Sequence, residues 1–426
     1  MSVPFLSPTG PLRPVSATER IQYIDVLRGF ALFGVLLANL VWMACDIVLT
    51  PAAAAQLSTA TFDIVAKYLV VFFVDGKFIT LFSFLFAVGF TVQMERAERR
   101  GKRGTAAYAR RITVLLVIGV LHIVFIWFGD ILALYAVLGF VLLLGRNWRP
   151  GRAMLLGACI LVLFTRVTFG LVQDAWSPDR PPQTAASHPP EEKQQKALAS
   201  FRGGYESVVR ENLRIYWGDL FEAGLIFAIL PQLLGKFLLG LYIGKQGYVH
   251  NLASYIPTLR QAAPWLLFLG VVGSGVSVAC EWAQTTLHVP QNAIWMLALR
   301  PIVDGGIVCM SAFYACCIAL LLQGKRWARP LTRLAPVGRM ALTNYLTHSF
   351  FYLFVLTGAG LGLIGRFGAT VCAAVSLAVF GVQIVFSGWW LQHFKFGPAE
   401  WIWRSVTYGQ MQRMREEKKL AEPERA

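Results

Sequence analysis

Two histidines stand inside long apolar stretches of this 426-residue chain. His122 closes Gly119-Val120-Leu121-His122, and His348 lies ten residues into the stretch that opens at Gly338-Arg339-Met340. Imidazole exchanges protons near neutral pH, and a neighbouring carboxylate orients the ring and raises its basicity. Asp130 follows His122 by eight residues. Asn344 and His348 are four apart, as are Ala341 and Tyr345, so a helix sets them on or beside one face. That face would offer an imidazole for proton transfer, with an amide and a phenol for hydrogen bonds to a developing oxyanion. The alternative for either histidine alone is a core residue bonded to a backbone carbonyl. Further ionisable residues fall in or near apolar segments: Asp75, Lys77, Arg166, Glu222, Arg300 and Asp304. Such groups are costly in lipid and turn toward a cavity or one another. They predict an outward-opening polar pocket with both histidines toward its floor.

The elements that must position these groups are membrane helices. The chain is 56% hydrophobic and 15% charged, whereas soluble domains carry about a quarter charged residues. Its apolar blocks alternate with short basic ones. Backbone polar groups in lipid must bond within their own segment. The expected fold is therefore an all-α integral membrane protein of about ten transmembrane helices with both termini cytoplasmic. Residues 1–20 read as a flexible cytoplasmic tail without a cleavable signal peptide. Residues 21–173 form the first half of the bundle, 174–215 an extracytoplasmic loop, 216–395 the second half, and 396–426 a cytoplasmic amphipathic tail. Asp75-Gly76-Lys77 interrupts 61–94, which predicts an interfacial helix, then a span starting from the outer side. Gly129-Asp130 reads as a tight outer turn.

The net charge of +16 lies in connecting loops such as 95–111, the positive-inside pattern of topology, so nucleic acid is not the expected partner. Seven cysteines lie mostly in apolar segments without a Cys-x-x-Cys pair, and no metal site is expected. His-Glu-x-x-His, P-loop and Gly-x-Ser-x-Gly motifs are absent. Asp25 and Arg28, three apart, read as an interfacial ion pair, and Trp401 and Trp403 as anchors of an amphipathic helix on the bilayer.

Five ordered stretches resemble the YeiB-like family of multi-pass bacterial inner-membrane proteins (domain of unknown function 418). They are Asp25-Val26-Leu27-Arg28-Gly29-Phe30, Gly76-Lys77-Phe78, Gly129-Asp130-Ile131-Leu132, Gly338 to Tyr345, and Gly397-Pro398-Ala399-Glu400-Trp401. The resemblance implies a distant kinship with transmembrane acyltransferases, which carry acyl groups from a cytoplasmic thioester to an acceptor and use a histidine buried near the middle of the bundle. Several relatives carry their histidine in or just after the first segment, where this chain has none, so His122 or His348 would have to substitute.

The leading expectation is an acyltransferase acting on an envelope glycan or lipid. In it His122 or His348 is the general base, Asp130 orients it, and Asn344 and Tyr345 support the oxyanion. Asp75 and Glu222 belong to the substrate pocket, and Lys77 and Arg166 would hold an anionic group. Acyl-CoA is the expected co-substrate, and no permanently bound cofactor is expected. A secondary transporter or exporter using the same pocket is the second reading, and a non-catalytic membrane sensor the third. The lipid bilayer is a partner in all three.

Overall fold

The computed structural model describes residues 22–57, 59–99, 104–176, 191–222 and 224–415. They form an all-α bundle. Among them, eight segments are long and apolar enough to cross a membrane. The first is α1 (Gln22–Val41), prolonged by a π-turn at Trp42–Asp46. After the short α2 (Pro51–Ala55), α3 (Ala60–Phe73) and α4 (Lys77–Arg99) make one broken span. Next come α5 (Gly104–Phe125), α6 (Leu132–Leu144) and α7 (Arg152–Trp176). Beyond the bundle proper lie α8 (Glu191–Arg202) and α9 (Tyr205–Trp217). The second half holds α10 (Ile226–Lys245), α11 (Leu252–Leu287) and α12 (Ile294–Leu321). Two short helices, α13 (Lys325–Thr332) and α14 (Leu334–Arg339), lead into α15 (Ala341–Phe351) and its π-turn Tyr352–Leu356. The last span is α16 (Ala369–His393), followed by α17 (Pro398–Tyr408).

The apolar blocks bury one stripe and leave another bare, as a bilayer requires. Leu27, Leu32 and Leu36 of α1 are fully buried, whereas Leu377, Val382 and Val385 of α16 and Trp265 and Phe268 of α11 are exposed. α1 is the central post and packs on α4, α14, α15 and α16. Small residues let it come close: a Cβ at Gly338 would strike the Asp25 carbonyl, and one at Gly29 the Leu334 carbonyl. Without a hydrophobic drive between helices in lipid, such contacts supply the packing energy.

Two turns that the sequence places at the outer side are buried within the protein. The break at 74–76 is inside the bundle, not at its outer face. Phe78 packs on Phe30 of α1 at 5.2 Å between ring centroids, Tyr314 of α12 donates to the Phe73 carbonyl at 2.8 Å, and Ser311 donates to the Lys77 carbonyl at 2.8 Å. Lys77 is fully buried and its Nζ donates to the Val71 carbonyl at 2.7 Å, so the amine satisfies backbone freed by the break. Gly76, at φ +75°, takes the left-handed conformation the reversal needs, against Ile307. The turn at Gly129-Asp130 is buried as well, with Trp127, Phe128 and Asp130 all shielded, and the helix that follows it is short. α6 has 13 residues, about 20 Å of helix, short of the roughly 30 Å of a hydrocarbon core.

Above that turn lie α8 and α9, the helix-compatible half of the loop predicted at 174–215. Gly358 donates to the Phe201 carbonyl at 2.7 Å, Gln194 Nε2 to the Asp46 carbonyl at 3.2 Å, and Tyr205 Oη to the Phe125 carbonyl at 2.9 Å. Phe201 is fully buried and stacks near Phe128. These two helices form an ordered lid. At the opposite, arginine-rich end, α17 packs beneath α5 and α15.

Candidate functional site

Asp130 begins the site. It sits just before α6, and its Oδ2 accepts from the Ala133 amide at 2.7 Å, satisfying an N-terminal donor that the helix leaves open. Its other oxygen, Oδ1, lies 2.9 Å from His122 Nδ1 and accepts from Tyr345 Oη at 3.4 Å. His122 and Asp130 have side chains 1% and 0% exposed. The Nδ1–Oδ1 contact is close in distance without meeting hydrogen-bond geometry, so neither ring nitrogen has a hydrogen-bond partner among the described residues. A small rotation of the ring would place an Nδ1 proton on the carboxylate and leave Nε2 its lone pair. The two come together because the α5 chain turns back at Phe125–Asp130, with the Ile126 and Trp127 amides both donating to the His122 carbonyl. Tyr345 reaches in from α15, its ring 5.4 Å from the imidazole.

A cavity of about 500 Å³ runs from this group toward the arginine-rich end. Gly129, Ile131, Leu132 and Tyr345 bound it beside the Asp130–His122 pair. Its middle is apolar and aromatic, with Phe78, Phe82, Leu85, Phe86 and Phe90 of α4 facing Ile112, Leu115 and Tyr135. Its other end carries five guanidinium groups, Arg28, Arg96, Arg111, Arg339 and Arg404, against two carboxylates, Asp25 and Glu400. Tyr108, Trp403 and Tyr408 line the same end. Arg111 lies 4.1 Å over the Trp403 ring, whose Nε1 donates to the Arg111 carbonyl at 2.9 Å. Trp403 thus packs inward on an arginine, where the sequence predicts an anchor on the bilayer. Glu400 accepts from the Leu342 amide at 2.6 Å and from Thr343 Oγ1 at 2.5 Å, capping α15 from another helix. Burial pushes the Glu400 carboxyl above the ordinary glutamate range, and those hydrogen bonds oppose it.

Residues 243–410 match the family described as protein of unknown function (DUF418). An uncharacterized protein YxaH of Bacillus subtilis is 33% identical, the alignment covering 93% of this chain and 96% of that protein. The chain belongs to this family. An uncharacterized 39.9 kDa protein of Bacillus acidopullulyticus is 30% identical over 93% of this chain and 96% of that protein. YeiB of Escherichia coli, also uncharacterized, is 27% identical over 91% and 96%. No solved structure matches.

In this DUF418 protein the remaining residues singled out from the sequence lie elsewhere. His348 is buried against α16, its Nε2 2.9 Å from Gln383 Oε1. Asn344 donates to the Val337 carbonyl and to Ser387 Oγ, both at 3.1 Å. The two histidines therefore do not share a pocket floor: one meets a carboxylate beside the cavity, the other a neutral amide of the last span. Arg166 pairs with Asp304 at 3.3 Å, with Lys236 and Arg300 as electrostatic neighbours, on the α7–α12 side of the bundle. Asp75 and Lys77 sit at the broken turn; Val74, Gly76 and Phe78 around them line the cavity, and the two side chains do not. The side chain of Glu222 lies outside the described residues. Of the arginines at the cavity end, Arg28 reads from sequence as the partner of Asp25, and Arg96 and Arg111 as topology markers, because a cation at a helix end that lines a cavity looks like one that faces water. Gln383, a lone amide in a long apolar span, was the visible signal for the partner of His348. No cluster of three metal-ligating side chains occurs among the described residues.

Proposed function

We propose that this protein is a membrane acyltransferase of the bacterial inner membrane, taking its acyl group from a cytoplasmic acyl-CoA. One observation carries the reading: a single cavity runs from an arginine-rich end to Gly129, Ile131 and Tyr345, the residues that flank a buried histidine–carboxylate pair. With the arginine end in the cytoplasm, as the positive-inside pattern directs, its guanidinium groups suit the phosphates of a CoA donor, and the aromatic end gives its base a face to stack on. The apolar middle suits the pantetheine arm and acyl chain.

In this reading His122 Nε2 takes the proton of an acceptor hydroxyl or amine. The freed lone pair attacks the thioester carbonyl carbon, and Tyr345 Oη donates to the developing oxyanion. The tetrahedral centre then expels the thiolate, which recovers the proton from the imidazolium; the C–S bond breaks and the new C–O or C–N bond remains. Asp130 holds the ring and stabilises the imidazolium without itself taking a proton.

The test is thermal stabilisation of purified protein by acetyl-CoA and longer acyl-CoA, followed by release of free CoA thiol. A ligand of the native state alone must raise the melting temperature. The paired variant R96A/R404A is expected to weaken that shift by at least about tenfold in concentration. No shift with any acyl-CoA overturns the proposal. The broken α3–α4 span favours a second reading, since discontinuous helices with buried charge build the solute sites of secondary transporters. Solute uptake into proteoliposomes that K77M abolishes, without CoA release, would support it.

A further inference from the structure

Trp127, His122 and Asn212 share an unusual property: each carries buried polar side-chain atoms with no hydrogen-bond partner among the described residues. They are Trp127 Nε1, both ring nitrogens of His122, and both Nδ2 and Oδ1 of Asn212, in residues 0%, 1% and 1% exposed. A buried group left unpaired is costly, and such groups in native structures call for an explanation. Their placement supplies one. His122 and Trp127 flank the sunken turn, and a Cβ on Gly129, which lines the cavity, would meet Trp127 Nε1 at 2.6 Å. Asn212 belongs to α9, the lid helix packed on α5. Tyr205 and Asn212 are seven residues apart and Tyr216 four further on, so they share a face of α9. Tyr205 Oη donates to the Phe125 carbonyl, and Tyr216 is an electrostatic neighbour of Asp130. Between these two anchors, the lid helix carries Asn212 across the 122–130 turn.

We propose that this junction of lid and turn is a second binding subsite, specific for an uncharged, hydroxyl-bearing group such as a sugar, with Asn212 as its principal hydrogen-bonding residue. The donor and acceptor inventory is that of a hydroxyl's complement. An amide offers both roles, the indole N–H donates, and the imidazole nitrogen accepts. Trp42 and Trp127, edge to face at 5.9 Å, and Phe128 supply apolar faces for C–H groups. The carboxylates beside it, Asp130 next to His122 and Glu211 next to Asn212, disfavour a phosphate or carboxylate ligand, Glu211 being offset in part by its pairing with Arg214. On the acyltransferase reading, this subsite presents the acceptor hydroxyl to His122 Nε2 from the lid side while the donor fills the cavity. The subsite rests on that reading for its role and not for its existence.

The experiment measures melting temperature of the whole protein in a detergent without a sugar head group. Three probes are used: methyl β-glucoside, a monoglucosyl diacylglycerol, and glycerol 1-phosphate, each with and without acetyl-CoA. Expected is a dose-dependent rise with one or both glucosides and none with glycerol 1-phosphate. A response to methyl glucoside identifies a soluble saccharide as sufficient, and one to the glucolipid alone a membrane-borne head group. N212L keeps the amide's size and removes an unpaired polar group, so it should fold at least as well as wild type, keep its acetyl-CoA shift, and lose the glucoside shift at least tenfold in concentration. W127F, which deletes only the N–H donor and the second ring, gives the same reading should N212L fail to fold. A glucoside response unchanged in both variants, no response in wild type, or a response to glycerol 1-phosphate alone overturns the proposal. Loss of the acetyl-CoA shift with a retained glucoside shift would sink the transferase and leave the subsite standing.

Discussion

His122 and His348 are equally buried, and their surroundings differ in kind. His122 faces a carboxylate and a phenol beside a large cavity. His348 faces the Gln383 amide, whose Nε2 in turn donates to the Asn344 carbonyl at 3.2 Å, and Asn344 reaches Ser387. A carboxylate orients the His122 ring, whereas a buried network of neutral amide and hydroxyl groups around His348 ties two helices together. The two sides of α15 thus divide the labour: Tyr345 serves the cavity side, and Asn344 with His348 fastens the helix to α16. Depth in the membrane is a weak guide to chemistry, and the identity of the partner is a strong one.

The contrast can be broken most directly at the two rings. H122N and D130N are each expected to cut acyl transfer by at least about a hundredfold, with the melting temperature of H122N little changed. H348L should leave the rate per folded molecule intact. A hundredfold loss in H348L with activity retained in H122N would reverse the assignment. Y345F removes the proposed oxyanion donor, which in the resting protein rests on Asp130 through one long hydrogen bond, and is expected to cost about a hundredfold in rate, read as turnover with unchanged acyl-CoA affinity. On the fastening side, H348L strands Gln383 Oε1 and should destabilise the bundle by about 1–3 kcal/mol, measured as thermal unfolding in detergent. The double variant H348L/Q383L should recover most of that loss, because both partners become apolar.

The smallest effect concerns Glu400, which caps α15 and so supports both sides of it. Its carboxyl is raised by burial, so the folded state favours the protonated form. Stability from this group is therefore greatest below the ordinary value of 4.5 and declines as pH rises through the elevated native value. Compared with E400Q, the wild-type melting temperature should fall with rising pH across that window. A parallel pair of curves would remove Glu400 as the titrating group.

Much of the bundle was legible because lipid imposes one simple rule: long apolar runs become helices, and basic loops mark their ends. Asp130 beside His122 was readable in outline, since a turn of a few residues must return the chain close to where it left. What was not legible were depths and partners. The length of α6 was visible in the sequence, but that its turn would sink follows only from what packs above it. The charge of Arg111 and Arg404 was visible, but their place at a cavity depends on α17 folding under the bundle. The pairing of His348 with Gln383 joins residues 35 apart on two helices, and no spacing rule within one helix reaches that far.

The broken turn at 74–76 also orders the protein's making. Its carbonyl at Lys77 and its glycine reversal are covered by Ser311 and Ile307 of α12, residues more than two hundred positions later in the chain. While the ribosome is still extending the second half, that cover from α12 is missing, and the shelter comes from earlier elements such as α1, which packs on Phe78. The second span is thus left open early and closed late. A chain truncated before α12 should expose the 74–76 turn to membrane-embedded quality control, and the full chain should become resistant only once α12 is inserted.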